Sequence, residues 1–252
     1  MSLNCKVQGE GKPLLILHGF LGSLDNWQGI ARELAVHRQV VSVDLRNHGR
    51  SPHLPDMTYA SMVTDLAVLR ESLGLEQLDL LGHSMGGKVA MGFALTHPGN
   101  TDRLVVVDMA PRIYLPGHEA VLNALSQVEL ERLQNRQEAA DCLGNFLEDP
   151  AMVAFLLKNL HREQDGTYRW KMNLPVLRKE YARILEFPFQ GQFPGSTLFL
   201  RGGQSDYIRP GDEGLLGRYF PAYRLRTLEG AGHWVHAEQP AAFLEEVKAF
   251  LG

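Results

Sequence analysis

The sequence predicts an α/β domain built on a mostly parallel, doubly wound sheet. Three observations carry that prediction. Short runs that are apolar on both faces recur along the chain. Stretches of helical period separate them. The order strand, helix, strand, helix is the pattern that buries a parallel sheet between two helical layers.

Taken in order, Leu3 to Gln8 reads as a short antiparallel strand at the start of the chain. Leu14 to Leu17, Val40 to Val43, Leu78 to Leu81, Leu104 to Val107 and Thr197 to Leu200 read as buried central strands. Tyr223 to Leu228 alternates apolar and polar residues, as an edge strand does. Thr58 can cap a helix whose apolar face uses Met62, Leu66, Leu69 and Leu73, and Gly74 can stop it. Gly86 to Thr96 forms a second helix, ended by His97-Pro98-Gly99. After Pro240, a last helix lines up Phe243, Leu244, Val247 and Leu251.

Between about Pro111 and Pro194 this order breaks. Ala120 to Leu133, Arg136 to Leu147 and Met152 to Leu160 have helical period, with no strong strand among them. The expected organisation is a core domain of residues 1–111 and 194–252, with residues 112–193 inserted as a helical cap over a site.

Composition narrows the function. The chain has 252 residues, 44% hydrophobic and 21% charged, with a formal net charge of −4. That balance predicts a globular chain with a large core and no basic surface for nucleic acid. Its two cysteines, Cys5 and Cys142, make no disulfide framework and no metal or redox pair, so a reducing, cytoplasmic setting is expected. The stretch MSLNCKVQGEGKP lacks the basic and apolar regions of a secretory signal. No window approaches the roughly 20 apolar residues of a membrane span, so no membrane partner is expected.

The chemistry concentrates at three glycine-rich turns. Gly82-His83-Ser84-Met85-Gly86 follows a strand and opens a helix, the setting of a nucleophile elbow. Such a turn lifts the Ser84 hydroxyl clear of the sheet and leaves room only for glycine beside it. Leu17-His18-Gly19-Phe20-Leu21-Gly22 also ends a strand. Acyl transfer needs two N–H donors for the oxyanion, and Met85 and Phe20 are placed to supply them. Gly230-Ala231-Gly232-His233-Trp234 carries the candidate base, His233. Of the other histidines, His18, His83 and His236 read as structural or supporting groups, and His53, His97, His118 and His161 as surface residues.

The acid that orients the base lies between Ser84 and His233 in the chain. Asp206 and Asp108 both follow a strand, and either can do it. Asp206 is slightly favoured by its place after the last strand before the histidine segment.

These motifs, with Asp44-Leu45-Arg46-Asn47-His48-Gly49-Arg50-Ser51, resemble the α/β-hydrolase superfamily across the whole chain apart from the insertion. Val107 to Pro111, Asn173 to Leu177 and Gly232 to Glu238 resemble small bacterial carboxylesterases related to the abhydrolase-domain proteins. The resemblance implies cofactor-free and metal-free hydrolysis of a small-molecule, short-acyl ester or thioester through an acyl-enzyme. It also implies that the acid can come from the earlier strand, because a serine like Ser205 recurs there while the residue at Asp206 is not always acidic. That brings Asp108 level with Asp206.

Leu21, His83, Trp170, Tyr181 and Trp234 are the expected substrate contacts, with Tyr114, Phe146, Phe155 and Phe187 as further aromatic candidates for an acyl pocket. A carbon–carbon bond hydrolase or lyase with the same three residues is an alternative. It would draw on Arg112, Arg162, Arg169, Lys171 or Arg178 to hold an acidic substrate. A non-catalytic ligand- or partner-binding protein is the other alternative. The sequence leaves the oligomeric state open.

Overall fold

The computed structural model describes residues 2–252. Its sheet has seven strands: β1 (Cys5–Gln8), β2 (Pro13–Leu17), β3 (Gln39–Val43), β4 (Leu78–His83), β5 (Thr101–Val107), β8 (Thr197–Gly202) and β9 (Tyr223–Leu228). They lie in the order β1-β3-β2-β4-β5-β8-β9. Only β1 is antiparallel, paired to β3 from Cys5 opposite Val43 to Gln8 opposite Val40. As the alternation in Tyr223 to Leu228 predicts, β9 is an edge.

The apolar runs divide between two cores. Leu15, Leu17, Leu80, Leu104 and Val106 face one side with helices α2 (Tyr59–Ser72) and α3 (Met85–Thr96). Leu14, Ile16, Leu81, Val105 and Val107 face the other with α1 (Gln28–Leu34) and α11 (Pro240–Leu251). These central strands are thus buried on both faces, which is why their runs show no alternation. Truncating one of these leucines, such as the fully buried Leu80, would cost about 2–5 kcal/mol. The Thr58 side chain caps α2 by accepting from Ser61 N–H, and Gly74, at φ 65°, ends it.

Asp79 is a charge in the middle of the sheet, fully buried on β4. Arg38 meets it at 2.6 Å, and Arg103 N–H donates to it at 3.0 Å. Arg38 also donates to the Leu251 carbonyl, tying the last helix to the base of the sheet.

Chain order reverses beside β2, with β3 placed on one side of it and β4 on the other. A sheet of this kind leaves a crevice at such a switch point, beyond the carboxyl ends of its strands. The turns after β2 and β4 therefore face each other.

Between β5 and β8 lie α4 (Glu119–Gln127), α5 (Arg136–Gly144), α6 (Pro150–Leu157), α7 (Leu174–Lys179) and α8 (Tyr181–Leu185). The segment, which reads as having no strong strand, also holds a short hairpin, β6 (Leu160–Arg162) and β7 (Tyr168–Trp170), paired from Leu160 opposite Trp170. Each strand has three residues, too few for alternation to show. The helices α1, α7, α8 and α9 (Glu213–Tyr219) are likewise too short for a helical period to show in the sequence. Among the described residues, no helix is long and apolar enough to cross a membrane.

Candidate active site

Ser84 sits at the turn from β4 into α3 with φ 53° and ψ −119°, a conformation few residues with a side chain adopt. Its N–H donates to Val107 O at 3.1 Å, which ties the turn to β5. The sterics explain the glycines. A Cβ on Gly82 would lie 2.2 Å from Gly86 O, and one on Gly86 would lie 2.5 Å from the carbonyls of Leu17 and His18. The loop after β2 approaches as closely: a Cβ on Gly19 would lie 3.2 Å from Ser84 Cβ.

Two buried histidines hold that loop. His18 Nε2 accepts from Leu45 N–H at 3.0 Å, so its Nδ1–H is left to donate to Gly19 O at 2.8 Å. His48 Nε2 accepts from Leu21 N–H at 3.3 Å, and its Nδ1–H donates to Arg46 O at 3.0 Å. Burial, the larger effect in each, lowers His18 to a pKa of about 4 and His48 to about 3. Both are neutral scaffold groups. Asn159, between α6 and β6, donates to Leu21 O at 2.7 Å and joins the inserted segment to the same loop.

His233 lies between β9 and α10 (Val235–Glu238). Its Nδ1 is 2.7 Å from Asp108 Oδ2. Its ring stacks on Tyr207 with centroids 3.7 Å apart, and its carbonyl accepts from His83 Nε2–H at 2.9 Å. Glu238 grips the same loop by accepting from Gly232 N–H at 2.6 Å and Trp234 N–H at 3.1 Å. Sequence reasoning missed Glu238, because its hold on Gly232 and Trp234 follows no recurring short spacing.

Asp108 is fully buried just beyond β5, at φ 48°. Besides meeting His233 it accepts from Gly202 N–H at 3.1 Å and from the Ser205 hydroxyl. Of the two carboxylates that the sequence left level, the Asp108 side chain is the one that meets the imidazole. Asp206 is exposed, and its backbone carbonyl, not its carboxylate, is what Arg112 and Arg209 bind. The reason is positional. β5 lies next to β4 and β8 one strand further out, and the β8 loop turns Ser205 inward and Asp206 outward.

Two cavities meet at Ser84. The smaller, about 230 Å³, continues past Met85 to Met109, Lys88, Ile184 and Leu185. The larger, about 550 Å³, contains His233, Trp234, His83 and Leu21. Phe20, Gly117, His118 and Tyr207 line both. Of the expected contacts, Leu21, His83 and Trp234 line the larger cavity with Phe155, and Tyr114 the smaller. Trp170, in β7 of the inserted segment, reaches neither; it is buried in the core. Phe187 is also core, and Phe146 is exposed. Tyr181 stands behind the wall, stacked on Phe20 at 5.7 Å. His118, expected at the surface, is instead half-buried in that wall. Of the five cationic residues considered for an acidic substrate, Arg112 alone lines a cavity touching Ser84. Arg169 pairs with Glu163, Lys171 with Asp25, and Arg178 with α4. Among the described residues, no cluster of three His, Cys, Asp or Glu side chains is arranged to hold a metal ion.

Comparison with known proteins bears on the fold and the activity. A family model described as alpha/beta hydrolase fold matches residues 12–240. The chain is 35% identical to esterase YbfF of Escherichia coli, over 100% of this chain and 99% of that protein. It is 39% identical to the sn-1-specific diacylglycerol lipase ABHD11 of Danio rerio, over 97% of this chain and 80% of that protein. A solved structure titled marine microorganism esterase superposes with a TM-score of 0.96 at 41% identity, covering 99% of both chains.

Proposed function

This chain belongs to the alpha/beta hydrolase fold family and is a carboxylesterase-type serine hydrolase; from that premise we propose that Ser84 is its nucleophile, His233 its general base and Asp108 the acid that orients the base. The observation that carries this reading is the 2.7 Å contact from Asp108 Oδ2 to His233 Nδ1 on the wall of the cavity that also holds Ser84. With Nδ1–H donated to Asp108, Nε2 is the basic nitrogen and is free to serve the hydroxyl.

In the proposed cycle His233 takes the Ser84 proton as the oxygen attacks the acyl carbonyl. Phe20 N–H and Met85 N–H receive the oxyanion, each donor being worth about 100- to 1,000-fold in turnover. His233 then protonates the leaving oxygen or sulfur as the acyl bond breaks. Water, deprotonated by the same imidazole, releases the acid and restores Ser84.

The two cavities divide the substrate. The leaving group belongs on the His233 side, in the larger cavity. The acyl chain belongs in the smaller, apolar one beyond Met85. At about 30 Å³ per water-sized group, 230 Å³ holds roughly eight such groups, which suits a short acyl chain of an ester or thioester. Residues 112–193 act as a cap that closes both. Two free cysteines, Cys5 and Cys142, fit a cytoplasmic setting.

Ser84→Ala tests the reading. It is expected to abolish p-nitrophenyl butyrate hydrolysis and labelling by a fluorophosphonate. A variant that keeps full turnover refutes it.

A further inference from the structure

His118 stands at the junction of the two cavities, and its hydrogen bonds determine which ring nitrogen carries the proton. The Tyr181 hydroxyl is 3.0 Å from Gly117 N, 3.0 Å from His118 N and 2.9 Å from His118 Nδ1. A phenol oxygen has two acceptor sites and one proton. The two backbone N–H groups occupy the acceptor sites. The phenol proton therefore goes to Nδ1, which must be unprotonated, and the neutral ring carries its hydrogen on Nε2.

Burial, and after it the proximity of His233, lower the His118 pKa and favour this neutral form. Phe20 fixes the ring edge-on, with centroids 5.5 Å apart, and Tyr181 stacks behind Phe20. Among the described residues no group accepts from Nε2. A rigid, neutral donor of fixed tautomer thus lines the space beside Ser84, although its location predicted only a surface residue.

We propose that His118 Nε2–H donates a hydrogen bond to an oxygen of the leaving alcohol, so that the enzyme favours esters whose alcohol carries an oxygen near the scissile bond over esters of plain alkanols. This rests on the reading of Ser84 as nucleophile and of the larger cavity as the leaving-group side. His118 lines the same larger cavity as His233 and Ser84, which puts the donor on the side of the group that protonates the leaving oxygen.

The test compares 2-methoxyethyl butyrate with n-butyl butyrate. The acyl group is the same, and the two alcohols have the same number of non-hydrogen atoms. The readout is the ratio of their kcat/KM values. His118→Asn keeps an acceptor for the Tyr181 hydroxyl and removes the donor at the Nε2 position. His118→Gln places an amide N–H there. Intrinsic ester reactivity and any general loss of rate cancel when ratios are compared between variants. One hydrogen bond predicts a ratio about 3- to 10-fold higher in the wild type than in His118→Asn, with His118→Gln recovering part of it.

Equal ratios in wild type and His118→Asn overturn the proposal. Should His118→Asn fail to fold, Tyr181→Phe decides. It removes the proton that holds the tautomer, and the ratio should fall at least twofold; an unchanged ratio overturns the proposal as well. A Ser84→Ala enzyme that cleaves both esters counts against the nucleophile assignment instead.

Discussion

Asp108 Oδ2 meets His233 Nδ1 at 2.7 Å across 125 residues of chain, from a position just beyond the strand next to the one that carries Ser84. That contact is the basis for proposing Asp108, and not Asp206, as the group that orients the imidazole. Asp108→Asn would present an amide where the imidazole needs an acceptor, favouring the wrong tautomer. A loss on the order of 10⁴-fold in kcat is expected, by analogy with the serine-protease example of this change. Asp206→Asn should stay within about threefold of wild type. Steady-state hydrolysis of p-nitrophenyl butyrate measures both, and the reverse ranking would return the role to Asp206.

Ser205 shares the carboxylate oxygen that faces His233, donating its hydroxyl to Asp108 Oδ2 and accepting from Tyr207 N–H at 3.3 Å. Tyr207 in turn stacks on the imidazole. Removing the hydroxyl leaves the buried carboxylate one donor short. Ser205→Ala should lower kcat roughly 10-fold, and Ser205→Thr should restore most of it. An Ala variant with wild-type kcat would make Ser205 a bystander.

The parts of this site that were legible in sequence are those where backbone sterics dictate residue type. Gly82 and Gly86 cannot be anything larger, so the elbow shows in one dimension. The strands were legible because burial on both faces makes them apolar throughout. Asp108 and Asp206 were not separable, because both follow strands and only lateral strand order distinguishes them. The donor role proposed for His118 rests on Tyr181, 63 residues away, and no local pattern records that contact. Trp170 shows the opposite error: an aromatic residue in the inserted segment suits a core as well as a pocket.

The buried histidines predict acid lability. His18, at a pKa of about 4, and His48 and His236, each at about 3, are held below the unfolded value near 6.5, chiefly by burial. Between pH 6.5 and 4 the unfolded chain binds protons that the folded one refuses. Stability is therefore complete above pH 6.5 and lost as the pH falls. Each histidine accounts for about 2 kcal/mol between pH 7.5 and 5.0, as an upper figure. Urea midpoints at those two values measure the loss, and equal midpoints would contradict the neutral scaffold.

Lys88, one turn into the helix that Ser84 opens, predicts a trend in the alkaline range. It is almost completely buried, and its ammonium donates to the carbonyls of Ile184 at 3.2 Å, Leu185 at 2.8 Å and Glu186 at 2.8 Å. It thereby joins the nucleophile helix to the returning limb of the insertion. Burial, and then Arg112, lower its pKa to about 7, against the opposing pull of Glu186. In the unfolded chain the value is near 10.4. From pH 7 to about 10 the unfolded state therefore holds a proton that the folded state has released, and this residue adds stability as pH rises, by at most about 1.4 kcal/mol per unit. Lys88→Met removes that titration and strips three carbonyls of their donor, so it should be less stable at pH 7 by about 1–3 kcal/mol. The gap should widen by pH 9.5, where the wild type has gained and the variant has not. Other titrating groups cancel between the two proteins. Denaturation curves at the two pH values decide it, and a gap that narrows with pH would mean that the three carbonyls hold the ammonium charged in the folded state.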